Sequence, residues 1–292
     1  MSTKRKRVSV VDPSVNSPVE KKVKKDQPFI PLSDPNENNP PTFVEVDSRL
    51  KSSGTNSDFT YEIFLPANHT FNRICCTSAL IPRSFFSIPD GENTFVIIED
   101  GAPIIVTLPP GNYTLSRFTT ALITAINDVA TWSYDVSWDE LTNSWTFIVT
   151  GNSDQPIFVF ITSLYEALGF DELSENAFVD DELVSTGMVD IGAKKRVYIR
   201  APELVYNSDH RNGGVLACVN AIFPDYTFIS YECHDVEGNA RRMPRIASSG
   251  YRFIITDERG KLLNLHRKNV MFTLKFFRDE NAANVDKYAV QS

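Results

Sequence analysis

No stretch of this chain reaches the ~18 consecutive apolar residues that a membrane helix requires, and no apolar segment follows its basic N-terminus. Neither a membrane span nor a secretory leader is expected, so the product should stay in the cytoplasm or nucleus. Cysteine is scarce: Cys75, Cys76, Cys218 and Cys233 show no CxxC spacing, and the histidines His69, His210, His234 and His266 sit in separate segments. Zinc sites draw their donors in close pairs. The one adjacent pair, Cys233-His234, would point to opposite faces of a strand. In a reducing compartment the cysteines should be reduced core residues, and the triplets Asn68-His69-Thr70 and Asn112-Tyr113-Thr114 should meet no glycosylation machinery.

Catalytic signatures are missing as well. The chain has no GxSxG elbow, Walker A sequence, GxGxxG or HExxH, and no repeat of 20 to 50 residues that would suggest a propeller or solenoid. Asn212-Gly213-Gly214 reads as a turn, and Glu232, His234 and Asp235 are accounted for by an exposed polar strand end rather than an acid/base site. Arg241, Arg242 and Arg245 form a small basic patch expected in a loop. No enzymatic activity, metal or cofactor is expected.

What the chain does have is apolar bulk and a strong charge asymmetry. Its 292 residues are 42% hydrophobic with 20 Phe and 10 Tyr, enough for a sizeable core. The first segment, 1–42, differs from the rest: it holds seven prolines and a single aromatic residue, so it cannot bury enough surface to offset the entropy of ordering. A disordered basic arm is predicted there. Within it Lys4, Arg5, Lys6 and Arg7 are followed after 13 residues by Lys21, Lys22, Lys24 and Lys25, a two-cluster spacing suited to a nuclear import receptor or to nucleic acid. Those eight cations, against Asp12 and Glu20, give the first 25 residues +6 and leave −14 for the rest of a chain whose net charge is −8. An acidic body of that kind does not bind DNA broadly.

The body, 43–292, reads as mostly β and is organised around Ile81 to Trp145. Thr94–Ile98 and Ile104–Leu108 are β-rich runs split by Asp100, Gly101 and Pro103, which predicts a hairpin. Thr114 is placed to cap a helix in which Leu115, Phe118, Leu122, Ala125 and Ile126 recur at helical spacing, ending near Asn127. Trp132, Tyr134, Val136 and Trp138 then alternate with polar residues, as do Trp145, Phe147 and Val149, predicting a second hairpin with every tryptophan on an apolar face. The helix should lie over a sheet edge or face. Further strands are expected at Phe43–Val46, Phe59–Leu65, Phe71–Ala79, Ile157–Ile161, Lys195–Ile199, Val215–Ala221, Thr227–Glu232, Tyr251–Thr256, Leu262–Leu265 and Val270–Phe277. A short helix from Ser163 to Leu168 should end on Gly169. The acidic segment 171–190 is expected to be an irregular loop. A strong closing strand whose neighbours lie far back in sequence fits a jelly roll or Greek key.

The order IPRSFF, Asn93 before a strand, Gly111-Asn112-Tyr113-Thr114 opening a helix, a Tyr/Val strand, a Trp/Phe strand and Leu168-Gly169-Phe170 resembles the penton (minor capsid) proteins of polinton-like viruses, adintoviruses and virophages. The likeness is fullest over Phe59 to Phe170 and looser from Val197 to Phe277. It implies a single jelly-roll-type β-sandwich with one amphipathic helix and insertions. It also implies a subunit that forms homopentamers at the vertices of an icosahedral DNA-virus shell, with the major capsid protein as neighbour. The expected locations are then the virion and, during assembly, the host nucleus, with the arm meeting viral DNA or an import receptor. The alternative is a nuclear β-sandwich protein-interaction module with no catalytic activity.

Overall fold

The structure, a computed structural model, describes residues 40–66, 71–192, 194–205, 213–222, 224–244 and 249–279, all within one compact unit, Pro35–Ser292. It is mostly β. The first part of the chain forms β1 (Thr42–Asp47), β2 (Ser53–Gly54), β3 (Asp58–Glu62) and β4 (Arg73–Pro82). The middle forms β5 (Thr94–Glu99), β6 (Ala102–Thr107), α1 (Leu115–Asn127), β7 (Ser133–Asp139), β8 (Ser144–Thr150), β9 (Ile157–Val159), α2 (Leu164–Leu168), β10 (Glu175–Ala177) and β11 (Glu182–Val184). The last part forms β12 (Arg196–Arg200), β13 (Val215–Asn220), β14 (Phe228–Glu232), β15 (Arg241–Arg242), β16 (Gly250–Thr256) and β17 (Met271–Phe277).

The closing strand lies inside a sheet, between β1 and β4. Thr42 pairs with Phe276 and Asp47 with Met271 on one side, while Met271 pairs with Leu80 and Phe277 with Arg73 on the other. Phe272, Leu274 and Phe276 are buried and alternate with partly exposed neighbours, so a one-residue slip would turn the whole row to water. The sheet runs β1-β17-β4-β14, with β15 also on β4; a second sheet runs β13-β12-β16-β3-β2. Their inner faces share one core, where Phe253 of one sheet meets Phe272 of the other edge to face at 5.2 Å. Taken in chain order, the eight main strands β1, β3, β4, β12, β13, β14, β16 and β17 stand first-eighth-third-sixth in one sheet and second-seventh-fourth-fifth in the other. That is the strand order of a jelly roll.

Residues between the third and fourth of these strands build a second core, and the stretch from Ile81 to Trp145 belongs mostly to it rather than to the sandwich. Here the sheet β10-β9-β5-β6 and the sheet β11-β8-β7 enclose Phe95, Ile97, Phe147 and Phe158. Helix α1 covers them as its periodicity predicts. Phe118, Leu122, Ala125 and Ile126 are buried, Leu115 is half-buried, and Thr114 accepts the N–H of Arg117. Asn127 stitches the end of the helix to β7, donating to the Tyr134 carbonyl and accepting the Tyr134 N–H, each at 2.8 Å. All three tryptophans pack as the alternation requires; Trp145 is fully buried against Phe118 at 5.7 Å.

Several expectations are corrected. The acidic segment 171–190 is not irregular throughout: β10 pairs with β9 and β11 with β8, because those sheet edges offer unpaired backbone groups. Val179 and Glu182 close a tight turn over Asp180 and Asp181, which take positive φ of 53° and 66°, a conformation that Asp tolerates. Leu262–Leu265 forms no strand. Only Leu262 bridges to Thr256, because the buried Asp257 carboxylate captures the N–H groups of Arg259 and Lys261. Arg241 and Arg242 lie on a strand paired with Arg73 and Ile74 rather than in a loop. Cys218 is exposed on β13, not in the core.

Candidate functional site

The residues that carry the family likeness are scattered over some 90 positions of sequence; Ile81 and Phe85 of the IPRSFF segment are buried in the sandwich core, while those from Asn93 onward gather around the second core. Gly111 bridges Ile88, and Asn112 accepts the N–H of Ser87 at 2.7 Å, tying the turn before α1 to the end of the IPRSFF segment. Tyr113 packs edge-on against Phe118 at 5.4 Å and donates its hydroxyl to the Pro109 carbonyl. Thr114 caps the helix. At the other end of the insertion Leu168 is fully buried, Gly169 takes the left-handed conformation that ends α2, and Phe170 stacks on Phe160 at 4.8 Å. Trp145 links the two groups: its ring meets Phe118 and its indole N–H donates to the Ala167 carbonyl at 3.2 Å. Asn93 is buried and donates to the Leu108 carbonyl, closing the mouth of the first hairpin.

Where the second core meets the sandwich, a cleft of about 340 Å³ is lined by Ser87, Glu92, Ser163, Glu166, Lys194 and Lys195 among others. Glu92 is buried on its wall. Ser163 donates to it at 2.6 Å, Lys194 reaches it at 3.3 Å, and Lys261 forms a second ion pair with it; Lys194 also lies 3.8 Å from the buried Asp257. Burial alone would raise the Glu92 pKa, but the hydrogen bonds from Lys261 and Ser163 and the charges of both lysines outweigh it and hold the carboxyl down to about 2. A carboxylate so fully engaged is a poor general base. It acts as an electrostatic clamp between the inserted core and the sandwich. Arg259 adds a second tie, reaching the Tyr165 hydroxyl at 3.3 Å and pairing with Glu166.

The remaining candidates stay apart. Asp235 folds its carboxylate onto the Gly238 N–H, while Glu232 and His234 are exposed beside it, as a polar strand end would be. His266 is half-buried against Phe86, and among the described residues no three His, Cys, Asp or Glu side chains gather as a metal site. Lys4, Arg5, Lys6, Arg7, Lys21, Lys22, Lys24 and Lys25 lie outside the described residues, as do Arg245, His69 and His210. No helix among the described residues is long and apolar enough to cross a membrane. The Glu92 clamp escaped the sequence reading because Glu92, Ser163, Lys194 and Lys261 sit in four separate loops that each look like ordinary solvated surface.

Neither a family model nor a curated protein matches the chain. Among solved structures, the mavirus penton protein aligns over 81% of this chain and 99% of its own, at 10% identity and a TM-score of 0.44. The D2–D3 domains of the flagellar cap protein FliD from Escherichia coli align over 74% of this chain and 100% of their own, at 12% identity and a TM-score of 0.16. Both scores lie below 0.5, so the architecture stands on the strand pairing described above.

Proposed function

We propose that this chain is a structural capsid protein, a penton or minor capsid subunit that forms pentamers at the vertices of an icosahedral DNA-virus shell. The observation that carries this reading is the jelly-roll strand order with an insertion between its third and fourth strands, whose core includes Leu168 and Phe170 of the penton-like motif with Tyr113 packed against it. A jelly roll alone serves many functions; Trp145, set between Phe118 of α1 and the Ala167 carbonyl of α2, joins the two ends of the motif in one packed unit. The surface supports self-association. Ile222, Tyr226 and Phe228 are 82%, 78% and 56% exposed across the β13–β14 connection, and Phe43 is 61% exposed on the edge strand β1.

In this reading unlike surfaces of neighbouring subunits meet head to tail and close a ring. The acidic body faces solvent and the major capsid protein. The basic arm, through Lys4, Arg5, Lys6, Arg7, Lys21, Lys22, Lys24 and Lys25, serves nuclear import, contacts viral DNA inside the shell, or both. The test is mass determination by light scattering at several concentrations, with and without the cognate major capsid protein. Five copies are expected. A strict monomer or a stable dimer under all conditions would favour a nuclear interaction module.

A further inference from the structure

Two of the four cysteines lie side by side. Cys75 is on β4 and Cys233 follows the last residue of β14, with its N–H held by the Thr77 carbonyl at 2.8 Å. Their sulfurs are 3.7 Å apart although the residues are 158 positions apart in sequence. A disulfide needs about 2.05 Å between sulfurs, so closure must draw Cys233, the first residue beyond β14 and the diagonal neighbour of Cys75, toward β4. The other two cysteines are placed elsewhere. Cys76 sits in the sandwich core and donates to the Ser78 carbonyl, and Cys218 is exposed in the opposite sheet.

We propose that Cys75 and Cys233 are a thiol pair that closes to an intramolecular disulfide when the protein meets an oxidising medium, with a small-molecule disulfide such as oxidised glutathione as oxidant. The inference does not depend on the capsid reading. Cys233 is the accessible partner and Cys75 the buried one. Cys233, as thiolate, attacks the small disulfide, forms a mixed disulfide and expels one small thiolate, which takes up the proton released. Cys75 then loses its proton and attacks the Cys233 sulfur, expelling the second small thiol. Two electrons pass from the protein pair to the oxidant, and two thiols leave. Burial first, and the hydrogen bond to Cys233 second, push the Cys75 thiol well up, so closure quickens as pH rises. The bond ties the end of the edge strand β14 to β4 across a long loop, which restricts the unfolded chain strongly.

The experiment uses the full chain carrying Cys218→Ser, which removes the exposed competitor. After incubation with oxidised glutathione at pH 7.5 and 8.5, free thiols are alkylated under denaturing conditions and counted by mass spectrometry. Three thiols should fall to one, with a cross-linked peptide joining Cys75 to Cys233 within one chain, faster at the higher pH. The melting temperature should rise on oxidation, and adding Cys233→Ser should abolish both changes. Retention of all three thiols, a stable glutathione adduct on Cys233, or a bridge to Cys76 would overturn the proposal.

Discussion

The carbonyl of Gly169 accepts the N–H of Gly187 at 2.7 Å, bringing two backbones into contact where α2 ends. Gly169 has φ of 71°, and a Cβ there would collide with the Gly187 carbonyl. Gly169→Ala should therefore cost roughly 2–4 kcal/mol, because a left-handed backbone and a backbone clash act together. Gly151 has a similar φ of 79° but open space around it, so Gly151→Ala should cost only about 1 kcal/mol. Urea titration of the two variants checks this; equal losses would mean that the approach to Gly187 contributes nothing.

Leu122 is fully buried in the middle of the α1 stripe. Leu122→Ala should destabilise the protein by roughly 2–5 kcal/mol, the cost of lost transfer energy plus a cavity. Leu115→Ala, at the half-buried end of the stripe, should cost less. Chemical denaturation followed by tryptophan fluorescence reports on the same core through Trp145. A loss below about 0.5 kcal/mol at Leu122 would contradict its burial.

Glu92 makes the junction between the two cores sensitive to acid. Its carboxyl falls from an ordinary 4.5 to about 2 in the folded protein, so the clamp is fully present above about pH 4.5 and is lost as pH falls toward 2. The contribution at neutral pH is on the order of 2 kcal/mol after allowance for solvent screening. Glu92→Gln should lose about that much at pH 7, and its gap from the native protein should narrow steadily below pH 4.5. A gap that is constant from pH 7 to pH 3 would show that the carboxylate charge is not what matters.

Met1 to Gln27 fused to a cytoplasmic reporter should carry it into the nucleus, and replacing Lys21, Lys22, Lys24 and Lys25 by Ala should weaken the effect. Fluorescence microscopy decides the matter. A DNA-facing role for the same cations requires binding without sequence preference and with a steep loss as salt rises. Binding that ignores salt would exclude that role.

Short-range features were legible in the sequence because the residues that cause them are neighbours. The hairpin turn at Asp100 and Gly101, the Thr114 cap, the α1 stripe and the left-handed stop at Gly169 each depend on a window of a few residues. The β-rich run Val270–Phe277 likewise announced a closing strand. It could not say what that strand meets, since Phe272 touches Phe253 in space but composition carries no partner's name. Tertiary structure alone decided that β17 inserts between β1 and β4, that the aromatic hairpins form a separate core rather than the sandwich, and that open sheet edges recruit the acidic segment as β10 and β11. It also decided the pairing of Glu92 with Lys194 and Lys261, and of Cys75 with Cys233. Those contacts join residues about 100 to 170 positions apart, and their energy exists only once the chain between them has folded.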